Sequence, residues 1–179
     1  MKRPAGYVTV SGIVDAEGKA VSPQRAIDYG WIKPTPGRTP AGWGIENHEI
    51  PLGKNLFLDQ GRQLMAFCFG FRSPIEDYVC RKFGVGTGTT AAAVTDVALE
   101  SAVTLDNALT TKAIDGVDFL SPFVVRVSYT LSVNDANGSL LTERGLFSGN
   151  GTMLARHVTS AGVSKTSDFS PVFSWRLRF

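Results

Sequence analysis

The sequence predicts a mainly β, α+β fold: an antiparallel β-sandwich-like domain with one helix and an extended N-terminal arm. Three observations carry this. Val125, Val127, Tyr129, Leu131 and Val133 alternate with Arg126, Ser128, Thr130 and Ser132, the period-two signature of a half-buried strand. Phe173, Trp175, Leu177 and Phe179 alternate in the same way with Ser174, Arg176 and Arg178 at the end of the sequence. Nineteen glycines and nine prolines stand against three methionines, a balance that favours many turns over long helices. With 179 residues, 43% hydrophobic and 19% charged, the chain can bury one good core, and disorder is excluded. The expected division is an arm over residues 1–54 and a β-rich domain over residues 55–179.

Taken in order, Tyr7 to Val14 alternates well enough for a strand, and Ala16 to Lys19 is a turn. Prolines at 34, 36, 40 and 51 then forbid regular helix and most sheet pairing. Trp31, Ile32, Trp43, Ile45 and Ile50 sit among them and need burial somewhere. Aromatic and aliphatic anchors on an irregular backbone give a long arm contact area without secondary structure, so these five residues are candidate intersubunit anchors. From Asn55 to Gly70 the period changes. Leu64, Phe67, Cys68 and Phe71 fall on one helical face, with Asp59 placed to cap the helix and a break at Ser73-Pro74. Gly61 weakens the helix at its first turn.

Ile75 to Phe83 reads as a strand, Val94 to Glu100 as a brief helical turn, and Ala102 to Leu109 as the start of another strand. Thr111 to Phe119 is turn-rich. After the strong strand at Val125 to Val133, Asp135-Ala136-Asn137-Gly138 supplies turn chemistry. Leu140 to Phe147 and Thr152 to Val158 return as strands around a turn at Ser148 to Gly151, and Phe173 to Phe179 closes the sheet. Asn137-Gly138-Ser139 and Asn150-Gly151-Thr152 match a glycosylation sequon, but hairpin turns explain both.

Between these elements lies the stretch Phe83 to Glu100, FGVGTGTTAAAVTDVALE. Gly84, Gly86 and Gly88 followed by Thr89 and Thr90 invite a phosphate-loop reading, which fails. The sixth place of G-x-G-x-x-G is Thr89, and no lysine lies between Lys82 and Lys112 to reach a phosphate. These five residues are expected to organise the fold, with no ligand chemistry. His48 and His157 are far apart and in unlike contexts, so zinc has no spacing to support it. Cys68 and Cys80 read as reduced and buried. Ser148 sits one place too far from Gly145 for a nucleophile elbow. Glu76 with Asp77 and Asp115 with Asp118 read as solvated surface acids. No catalytic residue, metal or cofactor is expected.

The glycine-threonine stretch, the strand LLTERGLFSGNGTMLARHV (Leu140 to Val158) and the terminal WRLRF (Trp175 to Phe179) together resemble small structural proteins of tailed bacteriophages. The resemblance spans roughly Asn55 to Phe179, and its motifs are folding motifs. Where it implies a leucine after Glu143, this chain has Arg144. It implies a non-enzymatic virion component of the tail, neck or baseplate, made in the host cytoplasm and assembling as a homo-oligomer with other virion proteins. An alternative is a carbohydrate-binding module using Tyr29, Trp31 and Trp43. The net charge of +2 is too small for a dedicated nucleic-acid binder. No apolar run has the length of a membrane span, and the first residues lack the apolar core of a signal peptide. Residues 91–150 carry a balance of −4 and residues 151–179 one of +3, a complementarity that neighbouring subunits could use.

Overall fold

The computed structural model describes residues 5–15, 17–31, 50–70, 77–121 and 124–178. Nine strands run through them: β1 (Ala5–Asp15), β2 (Ile50–Phe57), β3 (Cys80–Gly86), β4 (Lys112–Ala113), β5 (Gly116–Ser121), β6 (Val124–Thr130), β7 (Ser139–Ser148), β8 (Met153–Lys165) and β9 (Phe169–Arg178). Two helices join them, α1 (Pro23–Asp28) and α2 (Asp59–Gly70), with a short 3-10 turn at Asp106–Ala108. The strands are hydrogen-bonded in the order β4-β3-β7-β8-β2-β1-β9-β6-β5, and every pairing is antiparallel. This is the expected mainly β, sandwich-like architecture.

The sheet doubles over so that β3, β7 and β8 face β6 and β9. Phe83 of β3 stacks on Tyr129 of β6 with ring centroids 4.0 Å apart. The Arg144 guanidinium of β7 lies 4.8 Å from the Phe173 ring centroid of β9. On the far side the link between β4 and β5 joins the two layers, because Ile114 N–H donates to Arg81 O and Asp115 N–H to Ser128 O. Phe83, Tyr129, Phe169, Phe173 and Trp175 are fully or almost fully buried in the resulting core, each contributing roughly 1.5–3 kcal/mol by removal of apolar surface from water.

Where residues 1–54 are described as strand, the expected arm is corrected. Backbone pairing takes β1 and β2 into the middle of the sheet: β1 pairs with β2 on one side and β9 on the other, with Ala5 opposite Arg178 and Asp15 opposite Phe169. Val10 and Ile13 are core residues. Pro51 is accommodated at an irregularity, where the β1–β2 register shifts between Val8 and Thr9. The proline-rich stretch with Ile32, Trp43 and Ile45 lies outside the described residues. Ile50 opens β2 with its backbone opposite Val10.

Other expectations shift in detail. Helix α2 begins at Asp59, and Asn55 to Phe57 complete β2. Leu64 is buried as its stripe predicts, whereas Phe71 and the Ser73-Pro74 break fall outside the described residues. In the turn before β7, Ala136 and Gly138 take positive φ (55° and 79°); Asn137 does not, and its side-chain amide instead donates to Val133 O at 2.7 Å. Thr111 to Phe119, read as turn, contains β4 and most of β5. Val94 to Glu100 forms no helix and crosses the outside of the sheet as irregular chain.

Candidate functional site

The glycine-threonine stretch marks the place where the chain leaves β3 and folds back over the outer faces of β7 and β8. Gly84 and Gly86 end β3, and Gly88 is buried just beyond it. Their role is close approach. A Cβ on Gly84 would meet Thr110 O at 2.8 Å, one on Gly86 would meet Ser101 O and Glu143 Oε2 at 2.5 Å, and one on Gly88 would meet Glu143 Oε2 at 2.6 Å. The overlying chain is tied down by Thr87 N–H to Ser101 O and Val103 N–H to Val85 O. The Thr142 hydroxyl donates to Gly88 O at 2.9 Å. Thr89 and Thr90 are exposed, but Thr90 donates its N–H and its hydroxyl to the two Glu100 carboxylate oxygens, at 2.9 and 2.7 Å.

Beneath this chain lies an ion-pair cluster. Glu143, with no exposed surface, accepts from Arg156 Nε at 2.7 Å and from the backbone N–H groups of Glu100 and Ser101 at 2.7 and 3.1 Å. Arg156 Nη1 also donates to Asp96 Oδ2 at 2.6 Å, and Glu100 Oε2 stands 3.6 Å from Arg156 Nη2. Burial works against ionisation of Asp96, but hydrogen bonds from Ala93 N–H and Arg156 outweigh it and hold the carboxyl below its ordinary range. The Thr90 hydrogen bonds lower Glu100 likewise. These charges are consumed in fastening the overlying chain to the sheet. Arg156 belongs to the basic end and its partners to the acidic part, so the charge complementarity expected between subunits is used in part within one chain.

Both faces of β7 are covered, which explains why the neighbouring Glu143 and Arg144 are both buried. Glu143 turns outward under the overlying chain, whereas Arg144 turns into the core. There it donates to Leu141 O at 3.0 Å and lies 3.5 Å from His157 Nδ1. Burial lowers the Arg144 guanidinium to about 10, against the attraction of Tyr129, and raises the Tyr129 phenol to about 12. Trp175 Nε1 donates to Tyr129 Oη at 3.4 Å. Arginine thus replaces the expected leucine at a core position, its charge facing aromatic rings. Cys80 is a free, half-buried thiol raised by burial to about 12; the Cys68 side chain lies outside the described residues. No group of three or more His, Cys, Asp or Glu side chains among the described residues is arranged to hold a metal, and no described helix is long and apolar enough to cross a membrane.

Trp31, a candidate intersubunit anchor, is committed to its own chain. Its ring stacks on Phe169 at 4.5 Å and 7°, with Tyr29 tilted against it at 5.1 Å. Its carbonyl accepts from Ser164 N–H of β8. The ring is held there because α1 ends directly before it: Trp31 N–H donates to Ala26 O, closing the turn after the helix. Of this aromatic pair, Tyr29 is the exposed member. His48 and Glu76 fall outside the described residues. Asp115 accepts from the Thr130 hydroxyl at 2.6 Å, and Asp118 pairs with Arg126 at 2.8 Å, so the two acids expected to be merely solvated also brace the β5–β6 hairpin.

The exposed feature that sequence reasoning missed is β5. Phe119 is 82% exposed, Leu120 46% and Val117 42%, on a strand at the end of the sheet order. Beside it an apolar cleft of about 620 Å³ lies between α2 and the strands, its lining including Leu64, Met65, Val117, Val125 and Leu177. Val117 and Val127 are opposite one another across the hairpin, as are Phe119 and Val125, so Val117 and Phe119 stand beside the cleft. The signal was present as Val117-Asp118-Phe119, a short alternation hidden among the turn-forming residues around it. No protein-family model, curated protein or solved structure matches the chain.

Proposed function

We propose that this protein is a non-enzymatic structural component of a tailed-phage virion, in the tail, neck or baseplate, working through contacts with copies of itself and with other virion proteins. The observation that carries the assembly role is the exposed apolar pair Val117 and Phe119 on the last strand of the sheet, beside an apolar cleft that Val117 helps to line. Exposed apolar side chains beside a cleft mark a protein contact surface. The phage assignment draws on the resemblance carried by the glycine-threonine stretch, the Leu140 to Val158 strand region and the terminal strand. The ion pairs fit this reading, since they fasten the protein's own layers together. Light scattering on the purified chain tests it, with an expected mass that is a multiple of 19.2 kDa. A monomer at every concentration, or cleavage of peptidoglycan or glycan in an activity screen, would overturn it.

A further inference from the structure

We propose that the side chains of Lys165 and Asn137 join as an intramolecular amide, a covalent staple between the end of β8 and the turn before β7. It stands apart from the assembly reading and holds for a monomer or an oligomer. The reacting groups are already in contact: Lys165 Nζ donates to Asn137 Oδ1 at 2.9 Å. Asn137 is held there, because its Nδ2 donates to Val133 O at 2.7 Å. The backbone fixes the same approach, with Gly138 N–H donating to Lys165 O at 2.9 Å. That bond also occupies the nitrogen that would otherwise attack the asparagine carbon of an Asn-Gly pair to close a succinimide.

The surroundings favour the amine over the ammonium ion. Lys165 has no exposed surface, yet the oxygens it donates to, Asn137 Oδ1, Val133 O at 3.4 Å and Thr166 O at 2.5 Å, are all neutral. A buried lysine with no carboxylate on its nitrogen gives up its proton more readily. Burial lowers this one to about 8, against the attraction of Asp135 and Asp168. About a tenth of it is therefore a neutral nucleophile at pH 7.

The step is an exchange of amines. Lys165 loses one proton to water at the exposed Asn137, and its lone pair attacks Asn137 Cγ. The Nζ–Cγ bond forms, the Cγ–Nδ2 bond breaks, and Nδ2 leaves as ammonia, taking a second proton from the attacking nitrogen. Nothing is oxidised or reduced. The attacking nitrogen turns positive on the way, a charge that the buried Asp135 carboxylate favours. Holding amine and amide together in the fold replaces their encounter, and the finished link constrains the unfolded chain as a disulfide does.

Intact-mass spectrometry of the purified chain, held folded for several days at about pH 9 where the amine is mostly neutral, tests this. The mass should fall by about 17 Da, that of ammonia. Trypsin should then spare Lys165 and leave residues 127–144 and 157–176 as one branched peptide. Lys165→Arg, which keeps a cation but offers no amine, should keep its full mass, as should Asn137→Ala at an exposed position. A full mass in the unsubstituted chain after that incubation overturns the proposal. So does a loss of ammonia that persists in Lys165→Arg, which would mark a succinimide instead.

Discussion

Glu143 and Arg144 show how one strand can bury two opposite charges without pairing them. Each takes its partners from a different layer, Glu143 from the chain above β7 and Arg144 from the core beneath it. The consequences of removing a partner therefore differ from those of an exposed ion pair. Arg156→Met would leave Glu143 fully buried with its two backbone donors but no cation, and loss of one partner from a buried pair costs about 3–5 kcal/mol. Urea denaturation should show that loss as a lower midpoint with an unchanged slope. The pH dependence follows from the carboxylates. Asp135 is desolvated, yet hydrogen bonds from Lys112, Asp106 N–H and Ser132 lower it, as neighbouring donors lower Asp96 and Glu100. Their folded values lie below the ordinary 3.8 and 4.5, so the stability they supply is complete above those values and is lost as pH falls through the lower folded ones. Melting temperature should hold as pH descends to about 4.5 and drop below it. Asp135→Asn should make that drop shallower.

Among the elements, α2 was readable from its apolar stripe, but Gly61 within it reads from sequence as a weakness. The structure gives the glycine a purpose. A Cβ there would meet Leu154 O at 2.5 Å and Leu154 Cα at 3.0 Å, so α2 rests directly on the β8 backbone. Alanine is worth about 1 kcal/mol more than glycine inside a helix, yet Gly61→Ala should destabilise by about 1–3 kcal/mol because neither backbone can yield cheaply. Chemical denaturation of the single variant decides between propensity and contact. The same distinction governs what the sequence revealed. Strands β6 and β9 were legible because each alternates against a core on one side, and β7 and β8 because turn residues bracket them. The chain from Thr87 to Thr111 was not, because Glu143, Arg156 and the glycine contacts hold it from outside, and none of these leaves a period. Strand β5 was hidden because six residues with a glycine at the start resemble a turn when no neighbouring strand can be seen.

At the scale of the whole molecule, the first strand sits against the last. Residues 1–54 were read as an arm because of the prolines between 34 and 51, but the strands on either side of that stretch complete the sheet. β1 contacts β2 and β9 along most of its length and inserts Val10 and Ile13 into the same core as Trp175 and Phe173. A chain beginning at residue 54 would lose β1 and the first half of β2. It would leave the β9 edge without its partner and open the core where β1 had covered it. Such pairing between distant parts of the chain also places closure of the sheet late, since β1 can meet β2 earlier but cannot complete its pairing until Phe169 to Arg178 is formed; topologies of this kind fold on the order of milliseconds to seconds. The shortened chain should therefore show neither the strand signal in circular dichroism nor a cooperative melt. If it instead melts cooperatively with its strand content intact, the β1–β9 pairing is dispensable and residues 1–54 are an arm after all.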